Sequence, residues 1–95
     1  MAEIVIQSGD GTREHFPLAK DVTTIGRSRE SDIFLPDQWL SRHHAEIRRR
    51  GEGFIIVDLE SSNGTVVNGE KVKKTVLKEG DYIRLGFTVI KYDLV

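Results

Sequence analysis

Phe54-Ile55-Ile56-Val57-Asp58-Leu59-Glu60-Ser61-Ser62-Asn63-Gly64-Thr65-Val66-Val67-Asn68-Gly69-Glu70-Lys71-Val72 shows in one stretch the alternation that runs through the chain. Phe54 to Val57 is apolar throughout, as expected of a central strand covered on both sides. Asn68-Gly69 stands between Val66-Val67 and Lys71-Val72, and both turn residues tolerate positive φ, so the segment predicts a two-residue hairpin. Further turn signals recur at Gly9-Asp10-Gly11, Gly51-Glu52-Gly53, Glu79-Gly80-Asp81 and Gly86. Between them lie short β-branched and aromatic runs: Glu3 to Gln7, Thr23 to Ile25, Thr65 to Val67, Tyr82 to Leu85 and Phe87 to Tyr92. Short strands with Gly-rich turns read as an all-β sandwich or barrel. Ile83, Leu85, Phe87 and Val89 alternate onto one face, with Gly86 marking a turn or bulge among them. Pro17 confines its strand to a sheet edge.

Ser41 to Arg50 is ambiguous. Its residue types favour helix, with Ser41 able to cap the start. Leu40, Ala45 and Ile47 make no continuous helical stripe, whereas Ala45 and Ile47 alternate with His44, Glu46 and Arg48 as in a half-exposed strand. We read it as loop followed by strand, a choice that the family resemblance below tips.

The 95 residues predict one domain with one core, spanning residues 1–95. Leu94-Val95 ends directly after a strand, which suggests a module of a larger protein. A net charge of −1 and a pI near 6.3 argue against a general nucleic-acid or membrane-surface binder, so any affinity for anions must be local. The chain has no cysteine, which excludes disulfides and thiolate metal sites and fits a reducing cytoplasm. Met1-Ala2-Glu3 leads into Ile4-Val5-Ile6, too short for a signal-peptide core, and no apolar run could span a bilayer.

Three segments carry chemistry: Gly26-Arg27-Ser28, Ser41-Arg42-His43-His44 and Ser61-Ser62-Asn63-Gly64-Thr65. Each combines anion-binding side chains with residues suited to tight loops. Arg27 follows a strand, and Gly26 permits close backbone approach. Ser41 and Ser62 offer hydroxyls, and Arg42 a second guanidinium. Asn63 carries both a donor and an acceptor, the equipment needed to hold a ligand's main chain.

These blocks, with Thr24-Ile25-Gly26-Arg27, Ala45-Glu46-Ile47, Asp58-Leu59-Glu60, Val67-Asn68-Gly69, and Leu77 with Gly80-Asp81-Tyr82-Ile83 and Gly86, resemble the forkhead-associated (FHA) domain over nearly the whole chain. The resemblance implies a β-sandwich of about eleven short, mainly antiparallel strands, with phosphothreonine peptide captured at one end by loops 26–32, 39–44 and 60–65. By it, Arg27 and Ser41 bind phosphate directly, Arg42 assists and Ser62 completes the pocket. Asn63 holds the peptide backbone, while Gly26, His44 and Asn68 brace the loops. It implies a signalling module with no cofactor and no metal, monomeric, cytoplasmic (or nuclear in a eukaryote). Its partner is a phosphothreonine-containing protein, a Ser/Thr kinase or a kinase substrate.

Blander readings stand beside these. Either arginine alone reads as a solvated surface charge, and either serine as a turn former. Arg48-Arg49-Arg50 reads as a solvated strand end. Trp39 has two readings: packing against the sandwich end, or reading side chains C-terminal to the phosphothreonine. A hydrolase triad of Ser41 or Ser62 with His44 and Asp58 lacks the G-x-S-x-G elbow, so we expect no enzyme. The adjacent His43 and His44 point to opposite sides of a strand and make a poor metal pair. The alternative function is scaffolding that does not depend on phosphate.

Overall fold

The structure, a computed structural model, describes residues 1–95. Eleven strands form in chain order: β1 (Ala2–Gln7), β2 (Arg13–Pro17), β3 (Val22–Gly26), β4 (Ile33–Phe34), β5 (Ala45–Arg50), β6 (Gly53–Asp58), β7 (Thr65–Val67), β8 (Glu70–Val72), β9 (Lys74–Val76), β10 (Tyr82–Leu85) and β11 (Thr88–Leu94). They make a six-stranded sheet, β2-β1-β11-β10-β7-β8, and a five-stranded sheet, β4-β3-β5-β6-β9. Every pairing is antiparallel except β3 with β4. The all-β sandwich expected from the sequence is what forms.

The period-two pattern of the strands builds the core. Ile4 and Tyr92 pair across β1 and β11, Ile83 and Ile90 across β10 and β11, and Ile47 and Ile56 across β5 and β6. All of these are buried, and the inner faces of the two sheets share one apolar cluster. Such pairs are the unit of sheet stabilisation, and the register is held because a one-residue slip would turn each apolar set outward. Leu18, Leu35, Leu40 and Leu77 plug the core from loops, although none lies in a strand.

The doubtful segment is loop to His44 and strand from Ala45 to Arg50. Ala45 and Ile47 are fully buried, as the alternation predicts. β2, which ends at Pro17, lies at a sheet edge. Phe54, Ile55 and Ile56 are buried on the two faces of β6. One expectation fails. Phe87 does not share the face of Ile83 and Leu85, because Gly86, at φ 62°, turns the chain between paired Leu85 and Thr88. Phe87 is thrown to the surface, and Val89 falls on the solvent side of β11.

Asn68 and Gly69 both have positive φ, as their hairpin requires. The Asn68 side chain donates to Asp81 Oδ1 at 2.8 Å and accepts from the Tyr82 amide at 3.0 Å. It therefore ties the β7–β8 hairpin to the start of β10. Replacing Asn68 with alanine removes both bonds and places a Cβ residue with no αL preference at positive φ. We expect a loss of about 1–3 kcal/mol, read as a lower urea midpoint at unchanged slope; wild-type stability would contradict the tie.

Candidate functional site

At one end of the sandwich the loops after β3, β4, β6 and β10 meet, held chiefly by main-chain contacts. The Arg27 amide donates to the Ser41 carbonyl at 3.0 Å and the Ser28 amide to the Arg42 carbonyl at 3.2 Å. Gly26 lies so close beneath that a methyl group on its Cα would overlap the Arg42 carbonyl oxygen. Only glycine permits that approach.

Arg27 spends one donor on the fold, its Nε reaching the Leu40 carbonyl at 3.1 Å. That bond restrains the guanidinium and leaves its two terminal nitrogens without a partner in the protein. Ser41 Oγ accepts from the Ser62 amide at 3.0 Å, so its own hydrogen remains available. Asn63 donates through Nδ2 to the Trp39 carbonyl at 2.7 Å, keeping its side-chain oxygen free. Arg27, Arg42, Ser62 and Asn63 are exposed and Ser41 is half-buried. Arg27 and Arg42 line one depression together with Ser28, Arg29 and Glu30.

His44 is buried completely and bonds on both sides. Its Nδ1 accepts from the Ser41 amide at 3.1 Å, so Nε2 carries the proton and donates to the Gly64 carbonyl at 2.9 Å. One imidazole thus joins the loop bearing Ser41 to the loop bearing Ser62 and Asn63. Asp58 organises the second loop from below: its carboxylate accepts from the Ser61 hydroxyl at 2.5 Å, the Thr65 hydroxyl at 2.8 Å and the Ser61 amide at 3.2 Å. Ser61 Oγ in turn accepts from the Gly64 amide. Burial alone would raise the Asp58 carboxyl, but these donors outweigh it and hold the group below its ordinary value.

The residues named from sequence at positions 26, 27, 41, 42, 44, 62 and 63 are therefore brought to one end. Asn68 is not. It lies at the far end of β7 from Thr65 and bonds only Asp81 and Tyr82, so it braces a hairpin and touches none of the three loops. Trp39 packs edge-to-face on Phe87, ring centroids 5.4 Å apart, and stays 47% exposed. It rests on another surface ring rather than in the core. Asp37 makes this possible by accepting from the Trp39 amide, the Phe87 amide and the Thr88 hydroxyl, each at 2.8 Å. The roles of Asp37, of Phe87 as a partner for Trp39 and of the Asp58–Ser61 pair in shaping the loop escaped the sequence reading. An Asp two residues before Trp39 was the local signal available for the first, as an Asx turn; the contact to Phe87 had none. Arg48 and Arg49 are occupied by Glu46 and Asp21, which accounts for part of the triple-arginine run.

The FHA domain family matches residues 23–86. The chain belongs to it. An oxoglutarate dehydrogenase inhibitor of Corynebacterium jeikeium is 44% identical to this FHA domain over 85 residues, 90% of the chain. The match covers only 59% of that relative's length. Among solved structures, one from work on phosphothreonine-dependent FHA domain interactions superposes with a TM-score of 0.88 at 35% identity, covering 99% of this chain and 96% of the other. The FHA domain of FhaA, in complex with the intracellular domain of Rv3910, gives a TM-score of 0.88 at 36% identity, with coverages of 97% and 99%.

Two outcomes test this architecture. Gly26→Ala forces the Arg42 carbonyl to move and should cost about 1–3 kcal/mol, measured by chemical denaturation; a neutral result would mean that the contact is not tight. Asp58 has a folded pKa below its ordinary 3.8, so its contribution is complete above that value and is lost as pH falls through the folded one. Acid should therefore destabilise the wild type below about pH 4, and Asp58→Asn should flatten that decline. An identical acid slope in the two proteins would remove Asp58 from the account.

Proposed function

We propose that this FHA domain captures phosphothreonine in partner proteins, through Arg27, Ser41, Arg42 and Ser62, while Asn63 holds the adjacent peptide backbone. The observation that carries this reading is the convergence of unspent donors at one loop end. Arg27 and Arg42 line one depression, Ser41 joins Arg27 through its carbonyl and Ser62 through its hydroxyl oxygen, and Arg27 is already oriented by its bond to Leu40. A phosphothreonine brings about −1.5 to −2 charges and three strong acceptor oxygens, and FHA domains are among the families in which arginine clusters read phosphorylated motifs. The related structures described in phosphothreonine-dependent terms support the same ligand class.

The site suits capture and not turnover, and we propose no enzymatic activity. His44 spends both ring nitrogens on main-chain groups, and Ser41 Oγ faces the Ser62 amide instead of an imidazole. Asp58 is engaged by two hydroxyls, with the His44 ring nitrogen 4.0 Å away. Neither serine therefore has a general base. We further propose that residues 1–95 act as one monomeric domain in the cytoplasm and that the partner is a Ser/Thr kinase or a kinase substrate. The complex of the FhaA domain with an intracellular domain supports a protein partner inside the cell.

Hydrogen bonds to a charged group contribute about 1.5–3 kcal/mol each, and removal of one buried partner costs about 2–5 kcal/mol. Arg27→Ala should abolish calorimetric binding of phosphothreonine peptides while the circular dichroism spectrum is retained. Near-normal affinity would refute the assignment, and partner binding that survives phosphatase treatment would favour phosphate-independent scaffolding.

A further inference from the structure

Arg29 is unused by the phosphate reading, yet it lines the same depression as Arg27 and Arg42. Three of the chain's eight arginines thus meet at one place in a protein whose net charge is −1. None of the three guanidiniums has a carboxylate within ion-pair distance, whereas Arg48, Arg49, Lys20 and Lys91 each do. Glu30 also borders the depression but forms no ion pair with any of them. The charge of Arg29 is therefore not neutralised by a contact within the protein.

Arg29 is also restrained. Its guanidinium carbon lies 5.7 Å from the centroid of the Phe34 ring, an aromatic side chain that is itself 39% exposed. Stacking on a ring steadies the group without consuming its charge or its in-plane donors. The turn that bears it is fixed by the Ser31 amide on the Ser28 carbonyl at 3.0 Å and the Glu30 amide on Ser28 Oγ at 3.3 Å. Ser28 is buried, so the loop presents Arg29 from a fixed base.

We propose that Arg29 is a specificity residue that selects ligands carrying a second anionic group close to the phosphothreonine, either an acidic side chain or a second phosphate. The inference rests on the phosphothreonine reading given above. Arg27 and Arg42 meet the first phosphate, and Arg29 meets the second group within the same depression. An extended peptide advances about 3.3 Å per residue, so a second anion within about three positions of the phosphothreonine remains over this one concavity. Carboxylate and phosphate both suit a guanidinium fork, and the bond is charge-assisted in either case.

The test uses the intact domain and a set of synthetic peptides with one central phosphothreonine. Flanking positions from −3 to +3 carry alanine, glutamate or phosphoserine in turn, and affinities are measured by fluorescence anisotropy. At one or more positions the anionic peptides should bind about fivefold to tenfold tighter than the alanine peptide, in keeping with one charge-assisted hydrogen bond at an exposed site. The glutamate and phosphoserine arms distinguish an acidic residue from a second phosphate as the source. In Arg29→Ala that ratio should fall to about two or less, and Arg29→Lys should restore part of it. The proposal is overturned if no anionic position improves binding while the alanine-flanked phosphothreonine peptide binds well, or if the improvement survives Arg29→Ala. Failure of every phosphothreonine peptide would instead overturn the underlying reading, and this proposal with it.

Discussion

A single buried imidazole connects the parts of the binding end. His44 accepts a hydrogen bond from the Ser41 amide on one nitrogen and donates one to the Gly64 carbonyl from the other. Both main-chain groups belong to loops that would otherwise have to find water, and an unpaired buried donor or acceptor costs about 1–3 kcal/mol. The two bonds satisfy those groups and also set the separation of Ser41 from the Ser62–Asn63 loop. The rest of the site inherits its geometry from this distance.

Around the imidazole, backbone is positioned first and side chains second. Gly26 brings one strand end against Arg42, and two amide–carbonyl bonds lock the loops in register. Asp58, Ser61 and Thr65 settle the far loop with a compact set of hydrogen bonds. The outward side chains therefore need only modest ordering when a ligand arrives, and preorganisation of this kind reduces the cost of binding. The strongly held groups are internal, and the exposed side chains keep some donors or acceptors unspent. That division suits the end of the sandwich to receive a ligand without loosening the fold.

Asp37 plays a corresponding part at the edge of the site. Its carboxylate gathers the loop before Trp39 and the turn at Phe87, so two aromatic rings stay in edge-to-face contact while still facing solvent. Burial acting alone would raise the Asp37 carboxyl; the hydroxyl of Thr88 and the amides of Trp39 and Phe87 keep it below the ordinary value. Exposed aromatic area held this firmly is costly to leave in water, and such rings commonly serve as anchors for partners.

Much was legible in the residues themselves. Alternating apolar positions such as Ala45 and Ile47, the Asn68-Gly69 turn and the edge-marking Pro17 determine strands, hairpin and sheet edge, because those preferences are local and act within a few residues. The candidates for anion binding at positions 27, 41, 42 and 62 were equally readable, since guanidinium and hydroxyl chemistry does not depend on the fold. Spatial meeting was decided only by the tertiary structure. Asn68 belongs to the sequence pattern, yet it reaches Asp81 and Tyr82 at the opposite end of its strand. Phe87 left the face its spacing suggested because one glycine turned the chain, and Arg29 came to share a depression with Arg27 and Arg42. Such contacts depend on how two sheets stack and where their loops cross, and a linear pattern does not carry that information.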